Sequence, residues 1–79
     1  MKLVLDGAAV IQRSGQENAH RLALASQVSA PTIHRYIHRA DEVISLDTQV
    51  LANILLKGMG LTPAQALELR LGDIFKFVE

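Results

Sequence analysis

The segment Ser29-Ala30-Pro31-Thr32-Ile33-His34-Arg35-Tyr36-Ile37-His38-Arg39 constrains this chain more than any other. Pro31 has no backbone N–H and fits a helix only in its first turn, so a helix begins here with Ser29 as its cap. Ile33 and Ile37, four apart, supply its buried side together with Tyr36, and His and Arg occupy the opposite side. Just upstream, Asn18 is a good cap for a helix reaching about Gln27, with Leu22, Ala23 and Ala25 facing inward. The alanines let a neighbouring helix approach closely. Two short helices joined by a tight turn follow, the second with a polar, cationic outer face that can enter a DNA groove.

The flanking sequence reads as further short elements. Met1 to Leu5 alternates, and so does Ile74 to Glu79, so a two-stranded ribbon is expected between the termini, with Leu3, Leu5, Phe75 and Phe77 turned to the core. An isolated ribbon is marginal, so pairing between subunits is the other option. Asp6 can cap a first helix through about Arg13, with Val10 and Ile11 in the core and Ser14-Gly15 as the break. Residues 40–45 form a loop carrying Asp41 and Glu42. Asp47 or Ser45 caps a fourth helix through about Lys57, with Val50, Leu51, Ile54 and Leu55 at helical spacing and Gly58-Met59-Gly60 as its stop. Thr62-Pro63 starts a fifth, with Ala66, Leu67 and one of Leu69 or Leu71 facing inward and Gly72 ending it. The expected fold class is mainly α, five helices with a small two-stranded terminal β ribbon.

Length and composition narrow the functional classes. The 79 residues suffice for one domain, 1–79, and no more. A domain of this size buries only about 60% of the surface of its unfolded chain, which favours dimerisation. The chain is 49% hydrophobic and only 4% aromatic, which suits a compact helical domain and argues against disorder. There is no cysteine, so disulfides and cysteine–zinc sites are excluded. The apolar start Leu3-Val4-Leu5 is too short for a signal peptide, and no run reaches the roughly 20 apolar residues of a membrane span. A soluble, cytoplasmic protein is expected. The formal net charge is zero, which counts against a nucleic-acid partner. The charge is polarised, however: residues 1–39 carry five basic and two acidic residues, a balance of +3, and residues 40–79 carry three basic and six acidic, a balance of −3. That polarity orients the N-terminal half toward phosphates.

Catalysis finds little support, since no nucleophile elbow, phosphate-binding glycine loop or paired-carboxylate motif is present. An enzyme is not expected, nor is any cofactor. His34 and His38 have a spacing that can hold a metal, but nothing in the motif completes a site, and no metal is expected.

Leu22-Ala23, Val28-Ser29, Thr32-Ile33 with Arg35, Ile44-Ser45-Leu46-Asp47-Thr48 and the closing Gly72-Asp73-Ile74-Phe75-Lys76-Phe77-Val78 form a colinear set over most of the chain. In that set the chain resembles the phage-repressor or Cro-type helix-turn-helix domains, in a short form with apolar strands at both termini. The resemblance implies a lambda-repressor-like fold and a sequence-specific DNA-binding transcriptional regulator, a repressor acting as a homodimer. It makes 30–38 the recognition helix. Its DNA-binding candidates are Ser29, Ala30, Pro31, Thr32, His34, Arg35, His38, Arg39 and Arg21. Arg35 is the base reader, because its planar fork can donate twice to guanine. Arg39, Arg21 and Arg13 are phosphate contacts, and the helix N-termini at Asn18 and Ser29 can add backbone N–H groups.

Three positions depart from the family pattern. Gln27 stands where glycine is frequent, and a left-handed Gln costs roughly 1 kcal/mol. Ala19 replaces a phosphate-holding Gln. Leu61 to Leu71 is longer than the usual link and adds a helix. The partners expected are double-stranded DNA and a second copy of the chain, with no membrane and no small-molecule ligand. The alternative is the same scaffold used as a protein-interaction module or antitoxin. Zero net charge, Ala30-Pro31 on the reading surface and Ala19 favour that alternative.

Overall fold

Asp6 is where the chain turns from strand to helix, and its carboxylate accepts from the Ala9 N–H at 3.2 Å. In the computed structural model, which describes residues 1–79, strand β1 (Lys2–Leu5) leads into helix α1 (Gly7–Ser14) at this point. Gly15, at φ 71°, supplies the left-handed residue that stops α1. Helix α2 (Ala19–Ser26) starts with Asn18, whose side chain accepts from the Arg21 N–H at 2.9 Å. It stops at Gln27, which adopts φ 58° and is the one non-glycine residue with positive φ. Gln27 thus takes the left-handed conformation in spite of its cost.

Helix α3 (Ala30–His38) follows after two further residues, with Pro31 in its first turn. Ser29 occupies the cap position, yet it makes no side-chain bond to the helix backbone. Its hydroxyl donates instead to Thr32 Oγ1 at 2.8 Å. A 3-10 turn (Ala40–Glu42) leads to helix α4 (Thr48–Asn53). Asp47 Oδ1 accepts from the Gln49 and Val50 N–H groups at 2.8 and 3.3 Å, which selects Asp47 over Ser45 as the cap. Tyr36 is buried, and its hydroxyl accepts from the Asp47 N–H at 2.8 Å, so a core side chain of α3 fixes the start of α4.

Helix α4 continues as a π-turn (Ile54–Gly58), and its stop comes at Gly60, at φ 70°. Helix α5 (Pro63–Leu67) opens with a reciprocal capping box. Thr62 Oγ1 accepts from the Gln65 N–H at 3.2 Å, and Gln65 Oε1 accepts from the Thr62 N–H at 3.0 Å. A last helical turn, α6 (Leu71–Ile74), runs directly into β2 (Phe75–Val78). The two strands pair antiparallel, with Lys2 opposite Val78, Leu3 opposite Phe77, Val4 opposite Lys76 and Leu5 opposite Phe75.

The molecule is mainly helical with a small two-stranded antiparallel sheet, as expected. The buried core centres on α2 and α3, which give Ala19, Leu22 and Ala23, and Ile33, Tyr36 and Ile37; Leu5, Val10, Ile54 and Ile74 join from β1, α1, the π-turn and α6. Tyr36 and Ile37 are both buried. Helix packing is closest where glycine replaces a side chain. A methyl group at Gly7 would overlap the Ile37 carbonyl, which sets how near α1 approaches the end of α3. No helix is long and apolar enough to cross a membrane.

Two expectations need correction. Leu3 and Phe77 do face each other across the ribbon, but they are 41% and 63% exposed. Of these four, Leu5 belongs to the buried core and Phe75 packs against it, while the outer pair is not covered. Val4, on the opposite face, is buried instead. The fifth helix ends at Leu67 rather than near Leu71, and Leu67 is 88% exposed. Gly72 does not end that helix but lies inside a separate sixth one, so six helical segments stand where five were expected. A single capped turn starting at Thr62 is too short to bury a stripe, and Leu69, beyond it, packs against the core in place of Leu67.

Candidate functional site

The α2–turn–α3 unit builds the surface on which the sequence candidates fall. The burial of Ile33, Tyr36 and Ile37 fixes how α3 is rotated about its axis. That rotation leaves Pro31, His34, Arg35 and His38 exposed along one stripe at helical spacing, with Arg39 following. The His34 and His38 rings lie 5.5 Å apart, tilted by 40°. No third His, Asp or Glu joins them in a cluster that could hold a metal.

Arg35 and Arg21 are exposed, and neither takes part in an ion pair within the chain. Their guanidinium groups are free to meet an anion. Arg39 is differently placed. Its Nε lies 3.6 Å from Glu42 Oε2, three residues on, and both side chains are more than half exposed. An incoming phosphate has to compete with that carboxylate. Arg13, an expected phosphate contact, is taken up elsewhere: its guanidinium is 3.0 Å from Asp73 Oδ1, joining α1 to α6.

The small residues at the start of α3 are less available than the sequence reading assumed. Ala30 is half-buried and packs against the core. Pro31 is exposed. Ser29 and Thr32 engage each other, which leaves Thr32 the hydroxyl proton for an outside acceptor. Since no side chain caps α3, the backbone N–H groups of its first turn have no side-chain acceptor. Helix α2 differs, because Asn18 already occupies the Arg21 N–H.

Neighbouring groups frame this surface. Lys57 Nζ donates to Gln27 Oε1 at 2.9 Å, which sets a cation beside the α2–α3 turn. No spacing in the sequence points to Lys57, because its partner is 30 residues away. Glu42 as the partner of Arg39 was not expected either, because residues 40–45 read as a loop, whereas the 3-10 turn brings the two side chains together. Lys2 Nζ donates to the Asp41 carbonyl, tying β1 to the turn after α3. Ile44, in the loop before α4, is fully exposed.

No family model matches the chain, and comparison with curated proteins and with solved structures gives no match.

Proposed function

We propose that this protein is a sequence-specific DNA-binding regulator of transcription, a repressor of helix-turn-helix type that presents α3 to the major groove. One observation carries the reading. Arg35 and Arg21 stand exposed and without an internal ion pair on two short helices joined by a tight turn. His34 and His38 share the outer stripe of the second helix with Arg35. An exposed guanidinium on a short helix can donate two bonds to guanine O6 and N7, worth about 1–3 kcal/mol of discrimination. Phosphate contacts then fall to Arg21, to Arg39 when it leaves Glu42, and to the uncapped first turn of α3.

A single copy offers one short reading helix and few cations, so the reading includes a homodimer on a two-fold site. Its half-sites would be spaced by roughly 34 Å. The outward apolar side chains of the C-terminal part, Leu67, Leu71 and Phe77, support an interface there.

A second reading, the scaffold as a protein-interaction module, draws on other observations: zero net charge, the fully exposed Ile44, and Pro31 on the reading stripe. Titration of the protein into duplex DNA at low and then moderate salt separates the two. A regulator binds with steep salt dependence, and selection from a random DNA pool then returns a two-fold site. An interaction module shows no saturable DNA binding at either salt.

A further inference from the structure

Between the ribbon and the helix ends lies an open groove of about 680 Å³. Such a volume lies within the range of small-molecule sites, about 300–1,000 Å³. Its floor is apolar and comes from five elements: Val4 of β1 and Val78 of β2 on one face of the ribbon, Ala8 and Ile11 from α1, Ala19 from α2 and Ile37 from α3. Gly7 keeps this floor closed, because its lack of a side chain lets α1 rest on the Ile37 carbonyl.

The rim is charged and unbalanced. Three carboxylates, Glu17, Asp41 and Glu79, line it against a single ammonium, Lys76. Lys2 sits close by but bonds the Asp41 main-chain carbonyl. None of the three carboxylates forms an ion pair within the chain. An apolar floor beneath unpaired carboxylates suits a molecule with an apolar body and a positive end. It disfavours the same body with a negative end, which would meet like charge beside a low-dielectric wall.

We propose that this groove binds a small organic cation, an amine with a hydrophobic body, its ammonium directed to Glu17, Asp41 and Glu79. The inference is independent of DNA binding, although His38 belongs both to the groove and to the outer stripe of α3. Nothing in the sequence suggested the site, because its lining gathers residues from both ends of the chain.

The test uses three probes with one body and different heads: 4-phenylbutylamine, 4-phenylbutanol and 4-phenylbutyrate. Each is titrated into the full chain at neutral pH, and amide shifts are followed by NMR. The amine is expected to give saturable shifts at Ala8, Ile11, Ala19 and Val78, with an affinity about tenfold above that of the carboxylate. Glu17→Gln, Asp41→Asn and Glu79→Gln together should bring the amine and the alcohol to similar affinity. Ala8→Phe, at an exposed position of the lining, should fill the groove and abolish binding. Should Ala8→Phe fail to fold, the charge variant decides alone. The proposal is overturned by the absence of saturable shifts at those amides up to about 5 mM amine. It is equally overturned if the carboxylate binds as tightly as the amine, or if the charge variant keeps the full preference for the amine.

Discussion

Ser26 and Gly58 illustrate how much one atom decides in a domain this small. Ser26 is fully buried in the wall between α2 and the π-turn, and its hydroxyl has no hydrogen-bond partner. A buried hydroxyl without a partner costs about 1–3 kcal/mol, so Ser26→Ala is expected to raise stability by about 1 kcal/mol in urea unfolding. Gly58 packs directly on it. A methyl group there would overlap Ser26 Oγ and come within 2.8 Å of Leu22 Cδ1. Gly58→Ala is expected to cost about 1–3 kcal/mol. The two changes should be non-additive, with the double variant more stable than the sum predicts, because removing Oγ clears part of the space the new methyl needs. Strict additivity in the double-mutant cycle would show that Leu22 alone sets the limit. Gln27 belongs to the same scale. Its φ of 58° carries a penalty of about 1–2 kcal/mol that glycine would not incur. The extra freedom of glycine in the unfolded chain takes back about 0.4–1 kcal/mol. Gln27→Gly also removes the exposed bond from Lys57, so the terms should nearly cancel and leave stability within about 0.5 kcal/mol in the same assay.

The elements owe their positions to caps and to a few buried side chains. Asp47 is the clearest case, because it joins three effects in one residue. Its carboxylate caps α4, its N–H donates to the Tyr36 hydroxyl, and through Tyr36 it ties α4 to the core of α3. Asp47→Ala is expected to lose about 1 kcal/mol from the cap while leaving the Tyr36 bond in place. Tyr36→Phe should lose about 1 kcal/mol by a different route, by leaving the Asp47 N–H without its acceptor. Hydrogen exchange tells them apart. Tyr36→Phe should speed exchange at the Asp47 amide, and Asp47→Ala should speed it at Gln49 and Val50.

The cap itself was legible in the sequence, since Asp47 precedes an apolar stripe at helical spacing. The helices from Asp6 to Lys57 were legible from their apolar stripes, such as Ile33–Tyr36–Ile37, from the caps Asp6 and Asn18, and from the glycines after α1 and α4; Ser29 marks the start of α3 without bonding its backbone. Strand pairing was legible from the alternation at both ends, but the exposure of Leu3 and Phe77 was not. Alternation gives a face; it does not say how far the helices extend beneath it. The region from Leu61 to Leu71 was misread because its leucines satisfy a helical period that a single capped turn cannot bury. Within the candidate site, the exposure of Arg35, His34 and His38 followed from the burial of their neighbours. The pairing of Arg13 with Asp73 and of Lys57 with Gln27 did not, because contacts across long sequence separation leave no local pattern.

At the scale of the whole molecule, charge is the quantity that has to be reconciled with the proposed partner. A neutral chain meets a polyanion favourably only through the placement of its charges, and here the exposed arginines of α2 and α3 carry that placement. Asp41 and Glu42 follow α3 immediately and oppose it, with Glu42 holding Arg39. Such a surface trades affinity for selectivity, because only a site that rewards Arg35 offsets the nearby carboxylates. Three substitutions resolve the contributions. Arg35→Ala, which removes the proposed base contact, should weaken the selected site by about 1–3 kcal/mol while random duplex loses little, so that specificity relaxes. Arg21→Ala should weaken both sequences alike and lower the salt slope by about one. Glu42→Gln frees Arg39 for a phosphate, so it should tighten binding to both and raise the salt slope by up to about one. The opposite sign for Glu42→Gln, a loss of affinity with unchanged slope, would mean that the ion pair holds Arg39 in its working position and that the acidic turn supports the interface it flanks.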